Sequence, residues 1–299
     1  MGRLIAFIRL GRPHFLGGGF LLFGVGAAIA AHTGHAIDVG RYVLGQLAVT
    51  AFQLMTHYAN DYFDYEADIA NTTPTRWSGG SRVLAGGELP RRVALVAAIV
   101  LAVLGVTASI ALALDAPPYT LPTLIAMLVL AWEYSAPPLR LCASGFGELD
   151  TAIVVTGLVP WLGFYLQAPD LVGLPMLLVA IVPLALLQLA MLLAIEFPDA
   201  DGDAATGKRT LVVRLGAPRA AALYVALTVA AYAWLPVAAL VALPVPIALA
   251  AAIPAPVALW RIARIAEHRD RNAYERLTFG AVFLLVATTA CALAATLLR

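Results

Sequence analysis

The chain has 299 residues, of which 62% are hydrophobic and 12% charged, and its formal net charge is +1. Soluble domains carry about 25% charged residues, so the composition excludes an ordinary water-soluble protein, while the near-zero net charge identifies no partner. Apolar stretches of about 20 residues, each long enough to cross a ~30 Å hydrocarbon layer, recur along the chain. We therefore expect residues 1–299 to form a single polytopic membrane domain.

Nine apolar segments follow one another and predict nine transmembrane helices. Their approximate limits are 14–31, 40–59, 93–114, 119–135, 149–167, 171–194, 218–239, 241–260 and 277–298. The stretch 218–260 is too long for one crossing, and the sequence LVALPVP near 240–246 divides it into two. Because many spans follow the first segment, that segment is predicted to be a membrane helix and not a removable signal peptide.

The basic residues predict the orientation of these helices. Of the 19 Lys and Arg residues, all except Arg41 and Arg299 fall in the N-terminal arm or in every second connection. The positive-inside rule places those parts, and the N-terminus, in the cytoplasm. We expect a multi-pass protein of the cell inner (plasma) membrane whose active site faces the cytoplasm. The basic connection 261–276 is predicted to be solvated and to set orientation.

Two acidic clusters with the same spacing interrupt the apolar pattern, one after segment 2 and one after segment 6. The sequences NDYFDYEAD and EFPDADGD each hold three acids at positions i, i+3 and i+7. These acids are Asp61, Asp64 and Asp68 in the first cluster and Glu196, Asp199 and Asp203 in the second. Such positions share one face of a continuous helix. Pro198 and Gly202 predict that the second helix breaks or frays there.

Six carboxylates that face one space would repel each other unless cations lay between them. Mg²⁺ suits such a site, because it binds one or two carboxylates and shares the oxygens of a substrate phosphate. Glycines and basic residues follow each cluster, in GGSR and GKRTL, and suit the remaining charge of a diphosphate. The alternative is a pair of water-exposed acidic helix ends, which the matched spacing disfavours.

The two clusters, together with RLGRPHF near the N-terminus and YSAPPLRL after segment 4, resemble the signature motifs of the UbiA superfamily of intramembrane prenyltransferases. GGSRVL and GFGEL further resemble the branch that prenylates 1,4-dihydroxy-2-naphthoate in menaquinone biosynthesis. The resemblance implies an all-α integral membrane protein with nine helices in one bundle around a central cavity. It also implies transfer of a polyprenyl group from a prenyl diphosphate to an aromatic acceptor, with two Mg²⁺ ions for which Mn²⁺ can substitute.

The resemblance assigns a role to each matched residue. The expected metal ligands are Asn60, Asp61, Asp64, Asp68, Glu196, Asp199 and Asp203, and Asp64, Asp68, Asp199 and Asp203 are the expected catalytic carboxylates. The expected substrate-binding residues are Arg12, Arg82, Tyr134, Arg140, Lys208 and Arg209. Glu196 stands where many family members have Asp, so direct metal contact by its longer side chain is left open.

Several alternatives stay open. The acceptor is predicted to be 1,4-dihydroxy-2-naphthoate, with 4-hydroxybenzoate or another quinone or lipid precursor as alternatives. His57 is predicted to be buried and hydrogen-bonded, and contact with the acceptor ring is the alternative. Trp132, Tyr134 and Trp161 are predicted to be interfacial aromatics, with shielding of an allylic cation as the alternative.

Two functions from other classes are disfavoured. A cation-coupled transporter would place isolated acids at mid-membrane depth, whereas these acids cluster at helix ends beside basic connections. A phospholipid head-group transferase would need an Asp-Gly-x-x-Ala-Arg pattern near one of the clusters, and neither has it. Nucleic acid and an obligate protein partner are not expected.

Overall fold

Helices account for all the regular structure of residues 2–298, which are the residues that the computed structural model describes. In the first half of the chain the helices are α1 (Gly2–Leu10), α2 (Leu16–His32), α3 (Val39–Phe63), α4 (Tyr65–Ala70), α5 (Arg92–Ala113), α6 (Thr120–Glu133) and α7 (Leu141–Ser144). In the second half they are α8 (Gly147–Ile153), α9 (Val159–Tyr165), α10 (Leu174–Ala205), α11 (Leu211–Leu215), α12 (Ala217–Val241), α13 (Val245–Ala251), α14 (Ala255–Ala263) and α15 (Tyr274–Leu297).

The long helices form one bundle in which the last helix, α15, packs against α2. α3 packs along α5, α2 along α9 and α10 along α12, while α15 contacts both α2 and α10. Large apolar side chains cover the outside of this bundle, for example Val103 and Leu104 on α5 and Leu240 on α12. A bundle in water would expose few such patches, so this surface suits the hydrocarbon interior of a bilayer.

Six helical runs are long and apolar enough to cross a membrane. They are Gly2–His32, Arg92–Ala113, Leu174–Ala205, Ala217–Val241, Val245–Ala263 and Arg271–Leu297. Thr120–Glu133 is apolar but shorter, and 39–63 and 147–165 are helical without being among the six. The predicted break between segments 7 and 8 is confirmed, since α12 ends at Val241 and α13 begins at Val245. The total of nine spans stays a prediction.

Glycines allow α2 and α9 to pack with their backbones nearly touching. A Cβ atom on Gly26 of α2 would collide with the backbone of Pro160 and Phe164 on α9, and one on Gly163 would collide with the carbonyl group of Phe23. Helices in lipid gain little from the hydrophobic effect, so close packing at small residues is a main source of their association. These two glycines fix one wall of the bundle.

The first acidic cluster does not lie on one continuous helix, which corrects the sequence prediction. α3 ends at Phe63 and α4 begins at Tyr65, with Asp64 between them. The backbone of Asp64 leaves the helical conformation at φ −92° and ψ 7°. The carboxylates of this cluster are therefore positioned by two helices and the turn that joins them.

The second helix neither breaks nor frays at Pro198 and Gly202, so that prediction is wrong. α10 continues through both residues to Ala205. Pro198 lacks an N–H group for the carbonyl four residues earlier, a loss that buried membrane helices tolerate. Gly202 serves packing, because a Cβ there would lie 2.9 Å from the backbone nitrogen of Asn71. The residue after α4 thus approaches α10 closely.

A π-helical turn, Val154–Leu158, joins α8 to α9. The sequence analysis predicted one uninterrupted span here. Such turns insert a wider hydrogen-bonded loop into a helix and often occur at functional sites. Val154 and Val155, the first residues of the turn, line the internal cavity described below.

The connection 261–276 is only partly solvated, in contrast to the prediction. Arg261 is fully buried, and its Nη1 donates to Glu267 Oε2 at 2.8 Å. Glu267 also lies within 4 Å of Arg264 and Arg276, which are exposed. Gly280 on α15 leaves space for the buried guanidinium stem, because a Cβ there would lie 2.6 Å from Arg261 Cδ. This connection is thereby fastened to the end of the bundle.

Candidate active site

A cavity of about 290 Å³ lies inside the bundle and receives side chains from both acidic clusters. Its polar wall includes Arg12, Asn60, Asp64, Asp68, Asp199, Asp203 and Lys208. Its apolar walls include Leu22, Phe52, Met127, Val155, Met191 and Leu285. α3 and α4 bring one cluster and α10 brings the other, so residues more than a hundred positions apart share one space.

Lys208 links the two clusters directly. Its Nζ lies 2.9 Å from Asp64 Oδ2 and 3.1 Å from Asp203 Oδ1. The backbone holds it there, since the N–H of Lys208 donates to the carbonyl of Asp203 at the end of α10. Burial alone would lower the pKa of Lys208, but the neighbouring acidic groups, above all Asp64 and Asp203, together outweigh burial and hold that pKa well above its usual value. The side chain is therefore a permanent cation between two acids.

Arg12 is held by the start of the first cluster. It forms an ion pair with Asp61 and donates to Asn60 Oδ1 at 3.0 Å. Asp61 is buried and also accepts hydrogen bonds from the backbone N–H and the hydroxyl group of Ser81. Asp61 is not among the residues that line the cavity. Its contacts position Arg12, which lines the cavity, and the loop that contains Ser81.

The loop 71–81 bridges to the second cluster through Asp199. Asn71 Nδ2 donates to Asp199 Oδ1 at 2.7 Å, and the backbone N–H of Gly79 donates to Asp199 Oδ2 at 3.0 Å. Gly79 and Gly80 both have φ +71°, a conformation that glycine adopts without strain. A Cβ on Gly80 would also collide with the carboxylate of Asp68. This explains the two glycines of GGSR.

Asp68 lies where negative charge is most concentrated. Its side chain lines the cavity. Burial, and then the nearby Asp61 carboxylate, raise the pKa of Asp68 to about 8. A cation placed in the cavity would favour the ionised form of this group.

Comparison with known proteins identifies this arrangement. The sequence profile of the UbiA prenyltransferase family matches residues 20–287. The chain belongs to the UbiA prenyltransferase family. It is therefore a membrane-bound prenyltransferase. The resemblance drawn from the motifs is confirmed.

Two named relatives and a solved structure are similar over most of their length. The chain is 34% identical to the 1,4-dihydroxy-2-naphthoate octaprenyltransferase of Mycobacterium leprae over 214 residues, covering 68% of this chain and 69% of the relative. It is 25% identical to the digeranylgeranylglyceryl phosphate synthase of Thermococcus gammatolerans over 291 residues, covering 95% and 96%. The structure of a UbiA homolog from Archaeoglobus fulgidus bound to DMAPP and Mg²⁺ superposes with a TM-score of 0.63 at 16% identity, covering 95% and 98%.

The side chains of this UbiA enzyme fit a hard divalent cation in their chemistry. The polar wall offers the carboxylate oxygens of Asp64, Asp68, Asp199 and Asp203, and such oxygens are the ligands that Mg²⁺ prefers. Among residues 2–298, no three acidic, His or Cys side chains already converge on a single point. Lys208 occupies the space between Asp64 and Asp203, which accounts for their separation.

Glu196 is turned toward another partner. It lies at the cavity wall, but its Oε2 accepts a hydrogen bond from the backbone N–H of Val212 at 3.2 Å. Glu148 Oε1 accepts from the neighbouring N–H of Leu211 at 2.8 Å. These two carboxylates thus bind the first residues of α11 and hold it against α8 and α10. A metal-binding role for Glu196 stays a prediction.

The predicted substrate-binding residues fall into two groups. Arg12, Tyr134 and Lys208 line the cavity. Arg82 does not, and its guanidinium donates to the backbone carbonyl of Asp68 instead. The remaining two, Arg140 and Arg209, are exposed and outside the cavity lining. Substrate contact by these last three residues stays a prediction.

Of the three aromatic residues that the sequence singled out, only Tyr134 lines the cavity. Trp132 and Trp161 do not line it, and Trp161 stacks on Tyr165 and donates to Thr123. His57 is hydrogen-bonded as predicted, with Nδ1 2.8 Å from the carbonyl oxygen of Gly11, and it also reaches the cavity. The aromatic rings that do line the cavity are those of Phe15, Phe52, Trp77 and Tyr134.

Sequence reasoning also missed Asn71, Ser81 and Cys142. Cys142 lines the cavity, and its Sγ lies 3.7 Å from Asp64 Oδ2. Burial raises the pKa of the Cys142 thiol, so it stays neutral beside that carboxylate. Asn71 directly follows α4, and Ser81 directly follows the two glycines of GGSR. Nothing in the sequence marked Cys142.

Proposed function

We propose that this UbiA enzyme transfers a polyprenyl group from a prenyl diphosphate to 1,4-dihydroxy-2-naphthoate, as in menaquinone biosynthesis. The observation that carries the proposal is the meeting of two acidic clusters at one cavity whose other walls are apolar. A diphosphate needs the polar wall and its cations, while a polyprenyl chain needs the apolar walls. The similarity to the mycobacterial relative supports the choice of acceptor.

The polar wall would hold two Mg²⁺ ions, or Mn²⁺ in their place, through oxygen ligands. The proposed ligands are Asn60, Asp64, Asp68, Asp199 and Asp203, with Asp61 supporting them from behind the cavity wall and Glu196 from the wall itself. Bound metal would stabilise negative charge on the departing diphosphate.

The chain's own side chains supply the remaining requirements. Arg12 and Lys208 bind diphosphate oxygens, because both are cations that line the same wall. The apolar walls bind the polyprenyl chain and keep water away from the allylic cation that forms when the C–O bond breaks. Cavity aromatics such as Phe52 and Trp77 face that space and would stabilise the cation through their π-faces.

We further propose that residues 1–299 form one membrane domain with nine spans, the N-terminus in the cytoplasm and the polar end of the cavity on the cytoplasmic side. The asymmetric distribution of Lys and Arg supports this orientation. The plasma membrane is the proposed location, because a lipophilic product would remain in it. The diphosphate group of a prenyl diphosphate is charged and stays in water. A polar wall on the cytoplasmic side can therefore bind it directly from the cytoplasm.

A lipid acceptor is the second candidate. The archaeal digeranylgeranylglyceryl phosphate synthase aligns with nearly the whole of this chain, whereas the mycobacterial relative aligns with about two thirds of it. The acceptor would then be an alcohol oxygen and not an aromatic ring. Both acceptors use the same diphosphate site, so the acceptor must be determined by assay.

The decisive experiment offers three acceptors to purified protein in detergent with Mg²⁺ and geranylgeranyl diphosphate. The acceptors are 1,4-dihydroxy-2-naphthoate, 4-hydroxybenzoate and geranylgeranylglyceryl phosphate, and products are identified by mass spectrometry. We expect prenylated naphthoquinol product, abolished by EDTA and restored by Mg²⁺ or Mn²⁺. Exclusive turnover of the glycerol lipid would replace the proposed acceptor, and full turnover in EDTA would contradict the metal site.

A further inference from the structure

Asp150 on α8 is a buried carboxylate in the cavity that belongs to neither acidic cluster. It is 6% exposed, it lines the cavity, and its Oδ1 has no hydrogen-bond partner among residues 2–298. By contrast, Asp64 and Asp203 contact Lys208, and Asp199 accepts from Asn71. Asp150 thus brings to the cavity wall a carboxylate with an unpaired oxygen.

The position of Asp150 places it close to the reacting end of the cavity. α8 begins against the polar wall, because a Cβ on Gly147 would lie 3.3 Å from the ring of Tyr134 and 2.8 Å from Cys142 Cα. Cys142 in turn contacts Asp64. Asp150 lies three residues further along α8, about 4.5 Å along the helix axis. Asp150 therefore lies about one helical turn beyond the residue that meets Tyr134 and Cys142, and Val154 and Val155 follow it along the cavity wall.

The arginine and the lysine that line the cavity are both paired with other carboxylates and not with Asp150. Arg12 is engaged with Asp61, and Lys208 with Asp64 and Asp203. Burying a carboxylate without hydrogen bonds is costly, and such exceptions call for an explanation. A lone carboxylate is a poor metal site. A hydroxyl group, by contrast, can donate a hydrogen bond to a single carboxylate. Both proposed acceptors carry a hydroxyl group, and the prenyl donor carries none.

We propose that Asp150 binds the hydroxyl group of the prenyl acceptor and takes its proton as the new bond forms. The inference rests on the proposed prenyl transfer and identifies a catalytic base for it. It applies to an aromatic and to an alcohol acceptor alike, since it concerns only the O–H group. Gln188, which is buried and lines the same cavity, provides a further polar contact for the acceptor.

The step balances in electrons and protons. The C1–O bond of the prenyl diphosphate breaks, and its electron pair leaves with the diphosphate. The acceptor forms a bond to C1, through its ring carbon or its alcohol oxygen, while its hydroxyl proton moves to the Asp150 carboxylate. In a ring acceptor the attacked carbon then loses its proton to water, or loses CO₂ where it carries a carboxylate, and the ring oxygen recovers the proton held by Asp150. With an alcohol, Asp150 passes the proton to water.

The test compares Asp150→Asn, which keeps the shape and removes the proton acceptor, with the same change at an exposed acid, Asp115→Asn. Asp115 has a side chain that is 90% exposed and lies outside the cavity. For each protein, kcat and KM are measured with whichever of the three acceptors the wild type uses. Mg²⁺-dependent binding of geranylgeranyl thiolodiphosphate, an unreactive donor analogue, is measured separately, together with acceptor-free hydrolysis of geranylgeranyl diphosphate.

We expect Asp150→Asn to lower kcat roughly 10²- to 10⁴-fold, the usual contribution of a general base. Analogue binding and acceptor-free hydrolysis should be unchanged, which shows that the variant is folded and that the donor side is intact. Asp150→Glu should recover part of the rate, and Asp115→Asn should behave as the wild type.

Three results would overturn the inference. Normal transfer by Asp150→Asn would remove its role as base while leaving the proposed function standing. Loss of analogue binding or of acceptor-free hydrolysis in proportion to transfer would show that Asp150 serves the donor or its cation. A wild type that is inactive with every acceptor would contradict the proposed function, and this inference with it.

Discussion

Lys208 is the residue at which the two acidic clusters meet, because its single ammonium group contacts Asp64 from the first cluster and Asp203 from the second. The contacts span 144 and 5 positions of sequence, so only the folded bundle creates the first of them. A site of this kind works as one unit, since each acid shares its neighbours with the other cluster. This has a consequence for mutants.

We expect Asp64→Ala and Asp199→Ala each to lower kcat/KM by several orders of magnitude, because each removes a proposed metal ligand that must offset leaving-group charge. The double variant should be barely slower than either single variant, since residues that act as a unit are strongly non-additive. Steady-state kinetics with the identified acceptor measures this, with the exposed Asp115→Asn as control. Near-normal rates in either single variant would reduce that cluster to a solvated helix end.

At this scale the sequence predicted the acids and not their partners. The spacing of Asp64 and Asp68, and of Asp199 and Asp203, could be read directly, because it repeats within the chain. Asn71, Ser81 and Cys142 could not be assigned, because their contacts cross between loops and helices that only tertiary packing brings together. Asp150 could not be identified for the same reason, because its proposed role rests on a buried carboxylate oxygen without a hydrogen-bond partner.

Among the helices, α14 contains a fully buried charge, that of Arg261, close to its end. Arg261 is fully buried, pairs with Glu267 and lies over the ring of Trp260, with its guanidinium carbon 5.1 Å from the ring centre. The sequence indicated a solvated basic connection because five arginines occur within 16 residues. Periodicity identifies spans well, but it does not reveal which one of several charges turns inward.

We expect Arg261→Ala to destabilise the protein by about 3–5 kcal/mol, because it leaves Glu267 partly buried without its shortest ion pair and opens a cavity beside Gly280. Arg264→Ala, which removes an exposed partner of the same glutamate, should cost less than about 1 kcal/mol. Denaturation midpoints in detergent compare the two. Equal midpoints for both variants would contradict the buried role of Arg261.

For the whole molecule, the proposed orientation in the membrane rests on the distribution of Lys and Arg in the sequence and not on the helices. The all-helical fold was predictable from apolar length, and helix ends agree with the predicted segments within a few residues except where α10 extends to Ala205. Its extension could not be foreseen, because proline and glycine normally mark helix ends. Packing against the end of α4 overrides that local preference.

We expect single cysteines in the loops 69–90 and 204–216 to be labelled by an impermeant maleimide only from the cytoplasmic side. The background is the protein without Cys142 and Cys291, and Asp115→Cys, in a predicted outer connection, should be labelled only from outside. The reason is the one-sided distribution of basic residues. Labelling of either loop from outside would invert or abolish the proposed topology.

The length of α10 links the reaction to the thickness of the bilayer. Its 32 residues extend about 48 Å, well beyond a hydrocarbon layer of ~30 Å. Asp199 and Asp203 lie at the far end of this single rod, so hydrophobic mismatch that tilts or shifts α10 would move half of the diphosphate site relative to the membrane surface. In bilayers of graded acyl-chain length, we expect turnover to pass through a maximum at one thickness, while the same protein in detergent shows no such optimum. Flat rates across all thicknesses would contradict this coupling. The length of α10 would then make the activity of the enzyme depend on the thickness of its membrane.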